Sequence, residues 1–270
     1  GLVNRVSDAA PPALYKLGLA ILTAAQASGI PIINGPTAYS FCGNKWCHHV
    51  LFQQAGLQSP PTKFFYHTLE DPVTANMTTS LENDALLPEK NIEILVKPNA
   101  GGFGHGITKT TLSSLPETLP YFDDGIALLQ QYVTPKDRTL YRVWFLNGQV
   151  QGAVRRILQD DPSNDNSEFT GACAGSKCSL KTNTPSLEAC AVPDHVREEI
   201  ELQLLPLITD AHCGSVEYLL NESGERLYFD LNLLSTLPLA SKVPDPNGVW
   251  TANYNPWKEL ATGMIEQLQK

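Results

Sequence analysis

An α+β fold is predicted for this chain, on three observations. Segments of helical periodicity, such as residues 13–28 and 257–269, alternate with short runs rich in β-branched and aromatic residues. Two of those runs, 140–146 and 150–157, flank Asn147-Gly148, the strongest short-range hairpin signal in the chain. A third, Ile94-Leu95-Val96-Lys97, is a short buried strand that ends in a cation, is closed by Pro98, and leads into a loop with glycines at 101, 102, 104 and 106. Backbone N–H groups of such a loop can fold over phosphate oxygens while Lys97 supplies a fixed positive charge.

The elements follow in order. Leu14, Leu17, Leu19, Ile21, Leu22 and Ala25 make 13–28 an amphipathic to buried helix that Gly29 stops. Residues 30–33 are a short strand, Asn34-Gly35-Pro36 a turn, and 37–40 the start of a helical turn, together the tail of an α/β unit whose earlier strands are expected outside the chain. Asn44-Lys45 precedes a helix over 46–55 closed by Gly56. Residues 63–67 form a strand, 69–89 a helix and a loop, 92–97 the strand before the glycines, 112–119 a short helix, and 126–133 a central strand. The polar stretch 159–191 reads as a mobile segment or an insertion. A helix over 193–207 precedes strands at 213–220 and 227–233, and Asn255-Pro256 begins a closing helix.

Composition narrows the function. Nineteen basic against 28 acidic residues, a formal charge of -9, argue against a nonspecific nucleic-acid binder. No apolar run approaches the roughly 20 residues that span a bilayer, and residues 1–12 lack a signal-peptide pattern, so a soluble, cytoplasmic protein with no membrane partner is expected. Six cysteines are too scattered for a disulfide scaffold. Cys42, Cys47, His48 and His49 make a poor zinc pattern and read as packing around a helix start, and Cys173, Cys178 and Cys190 lack an evident fourth ligand.

The chemistry-bearing residues lie elsewhere. With 216–218 and 229–232 on neighbouring strands, a period of two puts Asp230 and Asn232 on one face with Glu217 opposite. Such oxygen donors suit Mg²⁺, and a solvated hairpin edge is the plainer alternative. The glycines alone are compatible with a tight turn. The P-loop order is absent because the lysine precedes them. The residues that follow leave little room for the helix of a dinucleotide fingerprint.

Taken in order, Lys45, Lys97, the glycine loop, Gln130-Gln131-Tyr132-Val133 and the acidic hairpin resemble the ATP-grasp superfamily, closest in pattern to the branch of the RimK-like glutamate ligase and glutathione synthetase. The resemblance covers most of residues 30–269. It implies two α+β lobes with the nucleotide between them: a small lobe at 62–133, a large lobe at 134–270, and 1–61 as the remnant of a preceding α/β domain with its linker helix. ATP and Mg²⁺ are the implied cofactors. Lys45, Lys97, Gly101, Gly102, Phe103, Gly104, His105 and Gly106 would line the phosphates, and Gln130, Gln131, Tyr132 and Val133 would hold adenine and ribose. Glu217, Asp230 and Asn232 would hold the metal.

Arg142 resembles the arginine of a family strand, and Arg156, with Arg155 as its rival, resembles the arginine that faces the transferred phosphoryl group. Gln131 and Asp230 depart from the family's usual glutamates, and Leu140 stands where an acid is expected. The implied activity is carboxylate–amine ligation through an acyl phosphate, releasing ADP and phosphate, on a small-molecule carboxylate and an amine or peptide. A kinase on the same fold acting on a small polyol or inositol phosphate, and a nucleotide-binding protein without turnover, stay open. So do a missing amino-terminal domain and a homo-oligomer as partners.

Overall fold

The computed structural model describes residues 1–4, 6, 10–66, 91–101, 106–115, 119–120, 122–158, 186–233, 237, 241, 243–250 and 254–269. The chain opens with a small βαβ unit, in which β1 (Leu2–Val3) pairs in parallel with β2 (Ile32–Ile33) across helix α1 (Pro12–Ala27). Pro12 starts α1, where its missing N–H costs nothing. Strand β1 has no signature in the sequence, because two residues are too few to show a period.

Two short helices follow, α2 (Pro36–Cys42) and α3 (Lys45–Gln54). The turn into α2 is fixed by Asn34, which is buried at a φ of 50°. Its amide donates to the carbonyls of Cys213 (2.9 Å) and Leu233 (2.8 Å) and accepts from the N–H groups of His212 (2.9 Å) and Cys213 (3.0 Å). Asp210 adds a second tie, accepting from the N–H groups of Thr37 and Ala38 at 2.9 and 2.8 Å. Both bonds satisfy donors that the first turn of α2 leaves without helical partners.

The first sheet is antiparallel, of β3 (Thr62–Tyr66), β4 (Glu93–Pro98), β5 (Thr108–Thr111) and β6 (Ile126–Gln131) in the order β3-β6-β4-β5. Ile94, Val96, Ala127 and Leu129 pack one face with Leu112 and Leu119. Strand β5 is absent from the sequence-based reading, since Thr-Lys-Thr-Thr has no apolar residue to alternate. It is an edge strand, held by the Lys109–Glu93 ion pair (2.9 Å). Where a helix is predicted over 112–119, a 3₁₀ turn spans Leu112–Ser114, and residues 116–118 lie outside the described residues, as does the predicted 69–89 element.

The second sheet is also antiparallel, of β7 (Thr139–Leu146), β8 (Gln149–Ile157), β9 (Ser186–Cys190), β10 (Cys213–Leu220) and β11 (Arg226–Asn232), ordered β11-β10-β7-β8-β9. Asn147 and Gly148 turn the β7–β8 hairpin with φ of 48° and 80°, the positive pair that a two-residue turn of matching twist requires. Of the stretch 159–191, read as a mobile segment or an insertion, residues 159–185 lie outside the described residues, and Ser186–Cys190 form β9, an edge strand on β8. The predicted helix over 193–207 begins as α4 (Asp194–Glu198), widens to a π turn over Glu199–Leu204 and tightens to a 3₁₀ turn over Leu205–Leu207. Pro206 has no N–H to continue a regular ladder. The closing helix α5 (Pro256–Leu268) is capped by the Asn255 side chain, as its sequence suggests.

One face of the second sheet carries the main core, where Phe52 of α3 and Ile200 and Leu204 of the α4 run pack on Val143, Phe145, Val216 and Tyr228. Residues 38–57 therefore share their core with the second sheet. On the other face Trp144 donates to the Tyr254 hydroxyl (2.7 Å) beside Trp250.

Asn34→Ala would leave two amide donors and two carbonyl acceptors without their partner. The expected loss is about 3 kcal/mol of unfolding free energy, seen as a lower urea midpoint at unchanged slope.

Candidate active site

The amino end of α3 is built by two asparagines. Asn44 caps the helix by accepting from Cys47 N–H (3.0 Å). Asn99, buried just after β4, accepts from Trp46 N–H at its side chain (2.9 Å) and from Lys45 N–H at its backbone carbonyl (3.1 Å). Its amide donates to Asp124 Oδ2 (2.9 Å), and Asp124 Oδ1 accepts from Ile126 N–H (3.1 Å). The first sheet is thus pinned to a helix that packs on the second. Lys45, the first helical residue, donates its ammonium to the Gly101 carbonyl.

Lys97 comes to the same place from β4. It is 6% exposed and donates to Gln130 Oε1 (2.9 Å), while Gln130 donates to the Thr62 hydroxyl (2.8 Å). Burial first, and then the charge of Lys45, push the Lys97 amine down to about 7, against a smaller upward pull from Asp230. Gln130, expected with its neighbours to hold adenine and ribose, is the partner of Lys97. Gln131 donates its N–H to the Pro61 carbonyl (2.8 Å) and Tyr132 its N–H to the Glu93 carbonyl (2.8 Å). The Tyr132 ring lies 3.8 Å from the Lys109 ammonium, a cation–π contact, and Val133 follows half-buried. Gly101 and Gly106 bound the glycine loop at φ of 113° and 75°, in the region that favours glycine. Gly102, Phe103, Gly104 and His105 lie outside the described residues.

From the second sheet, strand register brings Arg142, Glu217 and Asp230 side by side, with Asn232 two residues on and opposite Ser215. Arg142 donates through Nε (2.7 Å) and Nη2 to Glu217 Oε1. The neighbouring carboxylate holds its guanidinium above the ordinary value despite burial. Arg156 shares this face: burial lowers its guanidinium, Glu217 opposes, and Arg142 adds to the lowering. Arg155 projects from the other face and is taken up by Glu188, at 2.9 and 2.6 Å, near Tyr141 and Cys190. Of the two rival arginines, only Arg156 is placed beside Glu217.

Asp230 is where the two groups of charges meet. Burial pushes its carboxyl up, but the hydrogen bond and charge of His48, followed by the charges of Lys45 and Lys97, outweigh this and hold it below the usual carboxylate range. His48 Nδ1 is 3.3 Å from Asp230 Oδ1. His49 is hydrogen-bonded to the Ser59 hydroxyl (2.7 Å), and its imidazole is lowered by burial and then by Lys97.

His48 and His49 are buried, as the packing reading has it, yet both adjoin the charged cluster. Their spacing of three and four residues from Lys45 puts them on its side of the helix, a signal present in the sequence. Asn99, Asp124 and Thr62 carry no comparable signal. Cys42 behaves as packing, its sulfur accepting from Leu233 N–H (3.3 Å).

Two carboxylates and an amide at adjoining register positions form a hard oxygen set, and an anionic Asp230 beside two lysines fits Mg²⁺ held together with phosphates. Among the described residues no group of three or more His, Cys, Asp or Glu gathers to hold a metal.

No family model matches the chain. Over 74 residues it is 34% identical to the vancomycin C-type resistance protein VanC1 of Enterococcus gallinarum, a stretch that covers 27% of this chain and 19% of that protein. Among solved structures it is similar to the ATP-grasp ligase PsnB complexed with minimal precursor, at a TM-score of 0.62 and 17% identity over 93% of this chain and 69% of that one. It is similar to the D-alanyl-alanine synthetase A of Vibrio cholerae O1, at 0.61 and 14% identity over 93% of this chain and 72% of that one. It is also similar to the D-alanine–D-alanine ligase of Bacillus anthracis, at 0.59 and 15% identity over 92% and 74%. PsnB has been solved with Mg and ADP, and the Bacillus anthracis ligase with ATP. The likeness runs over nearly the whole chain, at identities that carry the fold.

The position of Lys97 has a measurable cost. Its amine is depressed from 10.5 to about 7, so the penalty of the buried charge is fully present below pH 7 and is relieved as pH rises toward 10.5. The stability of Lys97→Met relative to the parent is therefore expected to fall across that window by on the order of several kcal/mol, at about 1.4 kcal/mol per pH unit. Urea midpoints that stay parallel from about pH 6 to about pH 10 would contradict a charged, buried Lys97.

Proposed function

We propose that this chain, which has the ATP-grasp fold, is an ATP-dependent carboxylate–amine ligase that forms an amide through an acyl phosphate and releases ADP and phosphate. The observation that carries the reading is the convergence of Lys45 and Lys97, from an α3 and a β4 pinned together by Asn99, on Asp230 of the second sheet. Two ammonium groups on one side and two carboxylates on the other suit a metal-bound polyphosphate better than any neutral ligand.

In this reading Lys45 and Lys97 bind the phosphates, and both are already committed to neutral partners that an anion can displace: a backbone carbonyl and the Gln130 amide. Charge-assisted bonds to phosphate oxygens are stronger than bonds to such neutral acceptors. The depressed Lys97 amine takes up a proton as the triphosphate arrives, because a nearby anion favours the charged form. Glu217, Asp230 and Asn232 would hold Mg²⁺, which when bound neutralises phosphate charge and polarises the terminal phosphoryl group.

Arg156 supplies positive charge beside Glu217, where a carboxylate substrate attacks the phosphoryl group. Arg142 orients Glu217 by engaging a single oxygen through two donors. The acyl phosphate then reacts with an amine through a tetrahedral intermediate, expelling phosphate. The substrates are defined as a carboxylate and an amine or peptide.

The test is ADP and phosphate release from ATP and Mg²⁺ across a panel of amino acids and short peptides, read with product mass. Amine-dependent ADP release and a product lighter by one water than the joined substrates are expected. A product heavier by one phosphoryl group would make the chain a kinase, and nucleotide binding without product would make it non-catalytic. Asp230→Ala is expected to lower turnover by on the order of 10²–10³ while keeping metal-free nucleotide binding. Lys97→Ala is expected to weaken nucleotide binding itself.

A further inference from the structure

We infer that Thr62 is a positioning residue for Lys97: its hydroxyl fixes which end of the Gln130 amide faces the ammonium. The inference rests on the reading of Lys97 as a phosphate-binding residue. Strand register puts the three side chains on one face of the first sheet. Thr62 stands directly opposite Gln130 across the β3–β6 pair, and Lys97 is a diagonal neighbour of Gln130, since it pairs with Leu128 two residues before. Thr62 is 3% exposed and Gln130 6%, so both must find their partners inside the protein.

The bonds among them form a chain that runs in one direction only. An ammonium donates and has no acceptor, so the atom of Gln130 that faces Lys97 at 2.9 Å is the amide oxygen. The amide nitrogen is thereby turned to the Thr62 hydroxyl oxygen, 2.8 Å away, which accepts from it. The hydroxyl proton is left to be given elsewhere, and it goes to the Pro60 carbonyl at 2.8 Å. The chain thus begins on a group that only donates and ends on one that only accepts. The backbone at its end is fixed in turn, because the next carbonyl, of Pro61, accepts from Gln131 N–H (2.8 Å).

Lys45 and Asp230 act on Lys97 through charge, which attracts or repels without setting a direction. Among the described residues the directional contact to the ammonium comes from Gln130. With valine at 62 the Gln130 N–H₂ group would be buried without an acceptor, a cost relieved only by moving the amide, and the movement takes the oxygen from Lys97. The hydroxyl at 62 therefore sets where the ammonium stands before any anion arrives, and a group already in place binds without being ordered first.

Thr62→Val removes the hydroxyl at nearly unchanged shape, and Thr62→Ser keeps it. The probe is a non-hydrolysable ATP analogue without metal, titrated calorimetrically into the full chain. Thr62→Val is expected to weaken its binding by about tenfold, and Thr62→Ser to stay within about twofold of the parent. A threonine that only supports the sheet would harm binding whatever stands at 97, whereas a positioning threonine loses its effect once Lys97 is gone. Adding Thr62→Val to Lys97→Met is accordingly expected to change affinity by less than about twofold.

Unchanged affinity in Thr62→Val overturns the role, and so does an equal loss in the parent and Lys97→Met backgrounds. A parent that binds no analogue removes the phosphate reading of Lys97, and the positioning role with it. Should Thr62→Val not fold, as judged by thermal melting, the parent still decides. By NMR its Gln130 side-chain amide protons should exchange slowly with water, and exchange as fast as in an exposed glutamine overturns the chain and the role built on it.

Discussion

The structure turns on a lysine kept out of water. An ammonium in a buried strand position is costly unless something compensates, and the elements around Lys97 are arranged to lower that cost without removing it. Gln130 and Thr62 form a relay of neutral dipoles beneath it, and Asp230 reaches toward it from the other sheet. What they leave uncompensated is a standing preference for an anion. The residual electrostatic cost in the free protein favours negative charge brought beside Lys97.

That arrangement requires α3 to belong to both sheets. Its apolar side, through Leu51 and Phe52, is part of the core of the second sheet, while its first turn is fastened to the end of β4. Lys45 and His48 sit on this shared element, so one short helix supplies both a charge beside Lys97 and a contact to the acidic strand. The acid at 230 is in turn held below the usual carboxylate range, against its burial, by His48 first and then by the charges of Lys45 and Lys97. Each half of the site thus sets the charge state of the other.

Much of the frame is legible in the sequence because it depends on local rules. Asn147-Gly148 dictates its hairpin, Asn255-Pro256 its helix start, and Ile94 through Lys97 a buried strand ending in a cation. Elements whose existence depends on partners are less legible. Thr108–Thr111 and Ser186–Cys190 have weak strand patterns of their own and are strands because β4 and β8 offer them an edge. The same division holds at the site. Period two is enough to bring Glu217, Asp230 and Asn232 together, and it says that Arg155 and Arg156 face opposite ways. Which of the two faces the acids is decided by register alone. The turning of Gln130 toward Lys97 and the service of Asn99 to a helix residue 53 positions earlier are long-range contacts that no local pattern announces.

The fastening of Asn34 has a mechanical meaning. Its side chain joins the turn before α2 to both ends of a strand region in the second sheet, and Asp210 repeats the joint from the opposite direction. Those bonds remove the degrees of freedom that a connecting turn would ordinarily keep, so α2 and α3 ride on the second sheet as one body. The first sheet meets that body through the Asn99 bonds at the end of β4. Asn99 shares that joint with the bond from Lys45 to the Gly101 carbonyl and the ring contact of Trp46 with Phe64, so the first sheet is seated on the first turn of α3 rather than on a flexible connection.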